Sequence, residues 1–98
     1  EENPGYIANM RDGAVAGFKY FSCSRICRIG VTVRGKAEGK MEVLTALDQS
    51  PVGEISLGKS NEWKTYEAEV QIPDGVWSLY FRYRGKGYVS MASFSLMK

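Results

Sequence analysis

Between positions 76 and 84 the residues Trp77, Leu79, Phe81 and Tyr83 alternate with Ser78, Tyr80, Arg82 and Arg84. An apolar residue at every second position marks a strand with one face on a core, because successive strand side chains point to opposite faces. The same period runs through 26–34 (ICRIGVTVR), 40–48 (KMEVLTALD), 63–72 (WKTYEAEVQI) and 88–97 (YVSMASFSLM), and more weakly through 17–21 (GFKYF) and 52–57 (VGEISL). Turn-forming pieces divide these segments at even intervals: RDG, RGKAEGK, DQSP, GKSNE, PDG and RGKG. No window carries a helical stripe of useful length, and β-branched and aromatic residues gather in the strand segments. The pattern predicts an all-β chain, a single antiparallel β-sandwich over residues 1–98. Its core should contain Val31, Val33, Val70, Ile72, Trp77, Leu79 and Phe81, which share parity within their strands.

Trp63 breaks the rule that large apolar groups face inward. In its segment Tyr66, Ala68, Val70 and Ile72 form the apolar set, and Thr65, Glu67, Glu69 and Gln71 lie between them. Trp63 has the parity of the polar set, so a strand already running at position 63 points the indole away from the core. Two readings follow. The ring is either presented to a ligand at a loop-to-strand junction or folded over the sandwich end as a lid.

Composition narrows the field. Ninety-eight residues, 44 % hydrophobic and 24 % charged, suit one soluble domain able to bury a core without covalent staples. No apolar run is long enough to cross a bilayer. Thirteen basic and eleven acidic residues are scattered along the chain, which does not suggest a nucleic-acid partner. The opening EENPGYIANM has no basic stretch followed by an apolar one, so no signal peptide is read there. Cys23 and Cys27 are too few for a structural zinc site in a chain without histidine. In an extended chain their Cα atoms would lie about 13 Å apart, too far for a disulfide. Cys27 shares parity with Ile29, Val31 and Val33 and is expected in the core.

Catalytic chemistry is scarce. Without histidine, and without a serine in a GxSxG setting, nucleophile and base pairs cannot be assembled. Glu42, Asp48, Glu54, Glu67 and Glu69 read as solvated, with no pair directed into a shared cleft. RGKAEG and RGKG lack the following helix that a phosphate cradle needs, and read as hairpin turns. Tyr83 is expected in the core, with Arg82 and Arg84 on a solvated edge.

The order of four stretches, GYIANMRDGAVAGFKYF, EGKMEVLTALDQSPVGEISL, SNEWKTYEAEVQIPDGVWSLYFRYRG and YVSMASFSLMK, resembles the family-6 carbohydrate-binding modules, in particular those at the C-terminus of family-43 glycoside hydrolases. The resemblance implies a jelly-roll-like sandwich that binds oligo- or polysaccharide without catalysis. Its partner would be an attached hydrolase acting on arabinose- or xylose-bearing plant polysaccharide. The alternative is a structural accessory domain with a degenerate cleft. In that family two aromatic rings hold a sugar in loops at one end of the sandwich. The resemblance casts Trp63 as one ring, Phe18 as its partner, and Ser90 and Tyr88 of the closing strand as polar help. Ser90 stands where the family has a sugar-binding Asn, and Ala92 where it has an Asp often tied to structural calcium. No cofactor is therefore expected, calcium included. The family's first strand is not recognisable in EENPGYIANM. The compartment stays open between the cytoplasm and the cell exterior, which the resemblance favours.

Overall fold

The alternation along residues 76–84 becomes β7 (Gly75–Lys86), the longest strand in a computed structural model that describes residues 7–98. Leu79, Phe81 and Tyr83 are fully buried on its inner face. Trp77 is half-buried against the same core, and its indole N–H donates to the Pro73 carbonyl at 2.8 Å. The other strands are β1 (Ile7–Met10), β2 (Val15–Cys23), β3 (Arg28–Gly35), β4 (Glu38–Leu44), β5 (Gly53–Leu57), β6 (Ser60–Glu69) and β8 (Val89–Met97). They form two four-stranded sheets, β1-β8-β3-β6 and β2-β7-β4-β5, with every pairing antiparallel. Among the described residues there is no helix. Val31, Val33, Val70, Ile72, Leu79 and Phe81 share one buried cluster between the sheets, as their parity predicts.

Several expectations are corrected. A strand the sequence did not announce, β1, pairs with β8. It has four residues, a register irregularity, and Asn9 at φ 56°, so no alternation could reveal it. The opening residues Gly5 and Tyr6 of the family-like stretch lie outside the described residues. Cys27 is exposed, not core. It precedes β3, its N–H donating to the Met97 carbonyl at 3.1 Å, and Ile26 turns inward in its place. The buried thiol is Cys23 at the end of β2. Burial, followed by the nearby charge of Asp74, pushes its pKa up.

Glu42 is also not solvated. It lies on the outer face of β4, and only 8 % of its surface is exposed. Arg82, opposite it on β7, places Nε 2.7 Å from its carboxylate, and Arg84 follows at 3.4 Å. Burial pushes the Glu42 carboxyl up, but the hydrogen bond and charge of Arg82, reinforced by Arg84, hold it below the ordinary glutamate range. β7 lies between β2 and β4, so Arg82 and Arg84 are on no edge.

The pieces RGKAEG and RGKG are not hairpin turns. The first carries the chain from β3 to β4 and the second from β7 to β8, so each crosses from one sheet to the other. Among the described strands, only β4 and β5 are neighbours in both sequence and sheet.

Candidate functional site

The two crossings pack against each other at one end of the sandwich, and glycine permits it. A Cβ on Gly87, whose φ is 75°, would lie far inside van der Waals contact with the Lys36 carbonyl. A Cβ on Gly39 would collide in the same way with the Arg84 carbonyl. From within the core, the Tyr83 hydroxyl fastens both crossings. It accepts the Glu38 N–H at 3.0 Å and donates to the Lys86 carbonyl. An aromatic residue on the inner face of β7 thereby fixes the backbone just after Arg34–Lys36 and just before Tyr88–Ser90.

These two segments wall an open depression of about 280 Å³ at the end of the β1-β8-β3-β6 sheet. Asn9 enters from β1, Ser90 and Tyr88 from β8 and its approach, Arg34 and Lys36 from β3 and its exit, and Asn61 from β6. Ser90 faces Arg34 across the β8–β3 pairing, and its hydroxyl accepts the Asn9 N–H at 3.2 Å. A bulge at Ala92, where Thr32 pairs with Ser93 and Val33 with Met91, sets its parity. Tyr88 is half-buried, with the Arg11 guanidinium 5.5 Å from its ring centre.

Trp63 lies on the outer face of β6, 38 % exposed, so it is not a lid on the core. The Arg34 guanidinium covers its ring at 4.5 Å from the centre. The indole therefore borders the depression through Arg34. Phe18 is elsewhere. Its ring packs between the sheets at 5.1 Å from Phe94 and 5.9 Å from Phe81. A bulge between Phe18 and Phe21 turns both rings inward. The structure thus brings Ser90 and Tyr88 together with Trp63 alongside, and leaves Phe18 in the core. Sequence reasoning missed Arg34, Lys36, Asn9 and Asn61. Arg34 and Trp63 have outward parity in their strands, but only the β3–β6 pairing shows that they meet.

Among the described residues, Arg34, Lys36 and Lys59 line the hollows at this end. Glu38 is held by Lys59 at 2.6 Å, and the hydrogen bond and charge of each partner lower the glutamate pKa and raise that of the lysine. Both side chains are exposed, so the pair adds little stability. A larger hollow of about 520 Å³, lined by Cys27, Arg28, Val52, Glu69, Val70 and Gln71, lies at the far end of the same sheet. It contains no aromatic ring. Among the described residues no group of three acidic, Cys or His side chains is placed to hold a metal ion.

No family model matches the chain. Over 96 residues it is 48 % identical to a xylosidase/arabinosidase of Thermoclostridium stercorarium, the match taking in 98 % of this chain and 20 % of that protein. The chain thus spans about a fifth of the length of that relative. A family-6 carbohydrate-binding module of Clostridium cellulolyticum, solved with xylose, superposes with a TM-score of 0.86 at 12 % identity over 95 % of this chain and 78 % of that one. A family-43 arabinoxylan arabinofuranohydrolase of Bacillus subtilis, solved with cellotetraose, gives 0.82 at 18 % identity over 98 % of this chain and 23 % of that one. With its two antiparallel sheets and the order of its strands, the chain has the β-sandwich fold seen in family-6 carbohydrate-binding modules.

Proposed function

We propose that the chain is a non-catalytic module that binds an oligo- or polysaccharide in the depression at the end of the β1-β8-β3-β6 sheet. It would hold an attached glycosidase on arabinose- or xylose-containing plant polysaccharide, residues 1–98 being one module in the C-terminal part of that longer enzyme. The observation that carries this is the convergence of Asn9, Asn61, Tyr88 and Ser90 on one open hollow beside an outward-facing Trp63. A sugar ring has apolar C–H faces and a hydroxyl rim, which an aromatic surface and several hydroxyl or amide groups meet together. The xylosidase/arabinosidase relative supports the choice of sugar. Cleavage within this chain is not part of the reading, because Glu42, the most buried carboxylate described, is held ionised by two arginines and is unsuited to act as an acid. The module needs no cofactor.

Titration with xylo-, arabino- and gluco-oligosaccharides, followed by amide chemical shifts and tryptophan fluorescence, tests the proposal. Dissociation constants around the millimolar range are expected, equivalent to about 4 kcal/mol. Shifts should cluster at residues 34–36, 61–63 and 88–90, and Trp63→Ala should weaken binding while leaving the fold intact. The Arg34 stack favours a second reading, in which the indole is already occupied and the domain is a structural accessory packed on the catalytic domain. Absence of any shift with every sugar would establish that second reading.

A further inference from the structure

Tyr83 has no access to solvent and does not line the depression, yet two of the depression's walls converge on its hydroxyl. Glu38 and Lys86 face each other across the β4–β7 pairing. The hydroxyl lies between them, accepting the Glu38 N–H at 3.0 Å and donating to the Lys86 carbonyl. Glu38 comes just after Arg34–Lys36 in the chain, and Lys86 just before Tyr88–Ser90. A phenylalanine would fill the same core space, so packing does not require the oxygen.

The turn between β1 and β2 holds this end of β7 from another side. The Gly13 N–H donates to the Tyr83 carbonyl at 2.7 Å, and the Tyr83 N–H donates to the Ala14 carbonyl at 3.0 Å. The Asp12 carboxylate accepts the Gly85 N–H at 3.0 Å, and Arg11 stands over the Tyr88 ring. The approach to Tyr88 and Ser90 is thus fixed by groups that do not themselves line the depression.

We infer that Tyr83 is a positioning residue for saccharide binding. Its hydroxyl sets the separation of the Arg34–Lys36 and Tyr88–Ser90 walls, and the Asp12 carboxylate holds the second wall against the first. The inference rests on the saccharide-binding reading above and names what presets that site. A weakly bound sugar meets both walls at little cost in ordering only if they already stand at their bound separation. Without the tether a smaller fraction of molecules holds that separation, and affinity falls with the fraction. Coupling is reciprocal, so a sugar that spans the walls must in turn tighten the bond between Tyr83 and the Glu38 amide, outside the depression.

Titration of the whole chain with xylo- and arabino-oligosaccharides, read by amide chemical shifts, compares wild type with Tyr83→Phe and Ile29→Val. Ile29 is buried near the start of β3, away from the crossings, so its truncation lowers stability without reaching them. Tyr83→Phe should bind about fivefold more weakly, the scale of one hydrogen bond, and Ile29→Val should bind as wild type does. Asp12→Ala should weaken binding several-fold, and Asp12→Asn, which keeps an acceptor oxygen, should restore most of the loss. In wild type, near-saturating sugar should slow hydrogen exchange of the Glu38 amide several-fold, and in Tyr83→Phe it should not. Wild-type affinity in Tyr83→Phe would overturn the inference. An equal loss in Ile29→Val would overturn it too, by showing a general effect of stability. If Tyr83→Phe does not fold, Glu38 exchange in wild type decides, and an amide unmoved by bound sugar counts against the inference. Each of these results leaves the saccharide reading in place, whereas a wild type that binds no sugar ends that reading and the inference with it.

Discussion

Gly87→Ala is the sharpest test of how the site is built. At φ 75° an L-residue bears a backbone cost of about 1–3 kcal/mol. Its Cβ also points into the Lys36 carbonyl, a backbone atom that cannot swing aside, so the crossing that carries Arg34 and Lys36 must retreat. Overpacking of that kind costs about 1–3 kcal/mol. Together the two effects predict a loss of roughly 2–6 kcal/mol, a large part of the about 5–15 kcal/mol that holds a domain together. Gly39→Ala isolates the collision, because its φ is not left-handed and its Cβ meets the Arg84 carbonyl. It should cost less than Gly87→Ala by the backbone share. Gly58→Ala is the control, since its Cβ would have the Tyr66 hydroxyl as its nearest neighbour at 3.7 Å. Urea denaturation measures all three as shifts in midpoint at constant slope. A Gly87→Ala protein as stable as Gly58→Ala would refute the idea that interlocked glycines set this end of the sandwich.

Glu42→Gln should cost about 1.5–3 kcal/mol at neutral pH, the range for a hydrogen bond to a charged group. Because the folded carboxyl titrates below its ordinary value, that advantage is complete above about pH 4.3 and is lost as pH falls through the folded value, so wild type and variant should converge in acid. Denaturation at a series of pH values checks this, and a gap that persists at pH 2 would contradict it. Phe18→Ala should lower stability by about 2–4 kcal/mol through loss of its packing on Phe81 and Phe94, with saccharide affinity unchanged once folded protein is assayed. A thiol reagent should label Cys27 in the native protein and reach Cys23 only on unfolding, so two rapid equivalents would be the wrong result.

The strands and the outward Trp63 were legible because alternation is a local property of the chain. Leu79, Phe81 and Tyr83 needed only their own parity to be placed inside. Glu42 was misread because its outward parity is real, and what buries it are the long side chains of a neighbouring strand that one sequence does not pair with it. Cys27 failed for the opposite reason. The parity of Ile29 and Val31 was extended past Arg28, where the strand begins and the alternation stops. Phe18 was set in the ligand site by resemblance, and the β2 bulge that pairs it with Phe21 inside the core leaves no trace in the residue pattern. Glycine in RGKAEG and RGKG signals a turn, but whether the chain returns to its own sheet or crosses to the other depends on what each strand later pairs with.

The strand order also dictates when the molecule can exist during synthesis. Among the described strands β1 pairs only with β8, and β2 only with β7, so these two early strands wait for the last two of the sandwich. Both late strands fill interior positions of their sheets. Until residues 75–97 have left the ribosome, the β3–β6 and β4–β5 pairings can form, while β1 and β2 offer bare strand edges to any neighbour. Folding should therefore be a single late event, slow in the manner of chains dominated by distant pairings. A chain stopped before position 75 would be a target for chaperones or aggregation rather than a smaller stable domain.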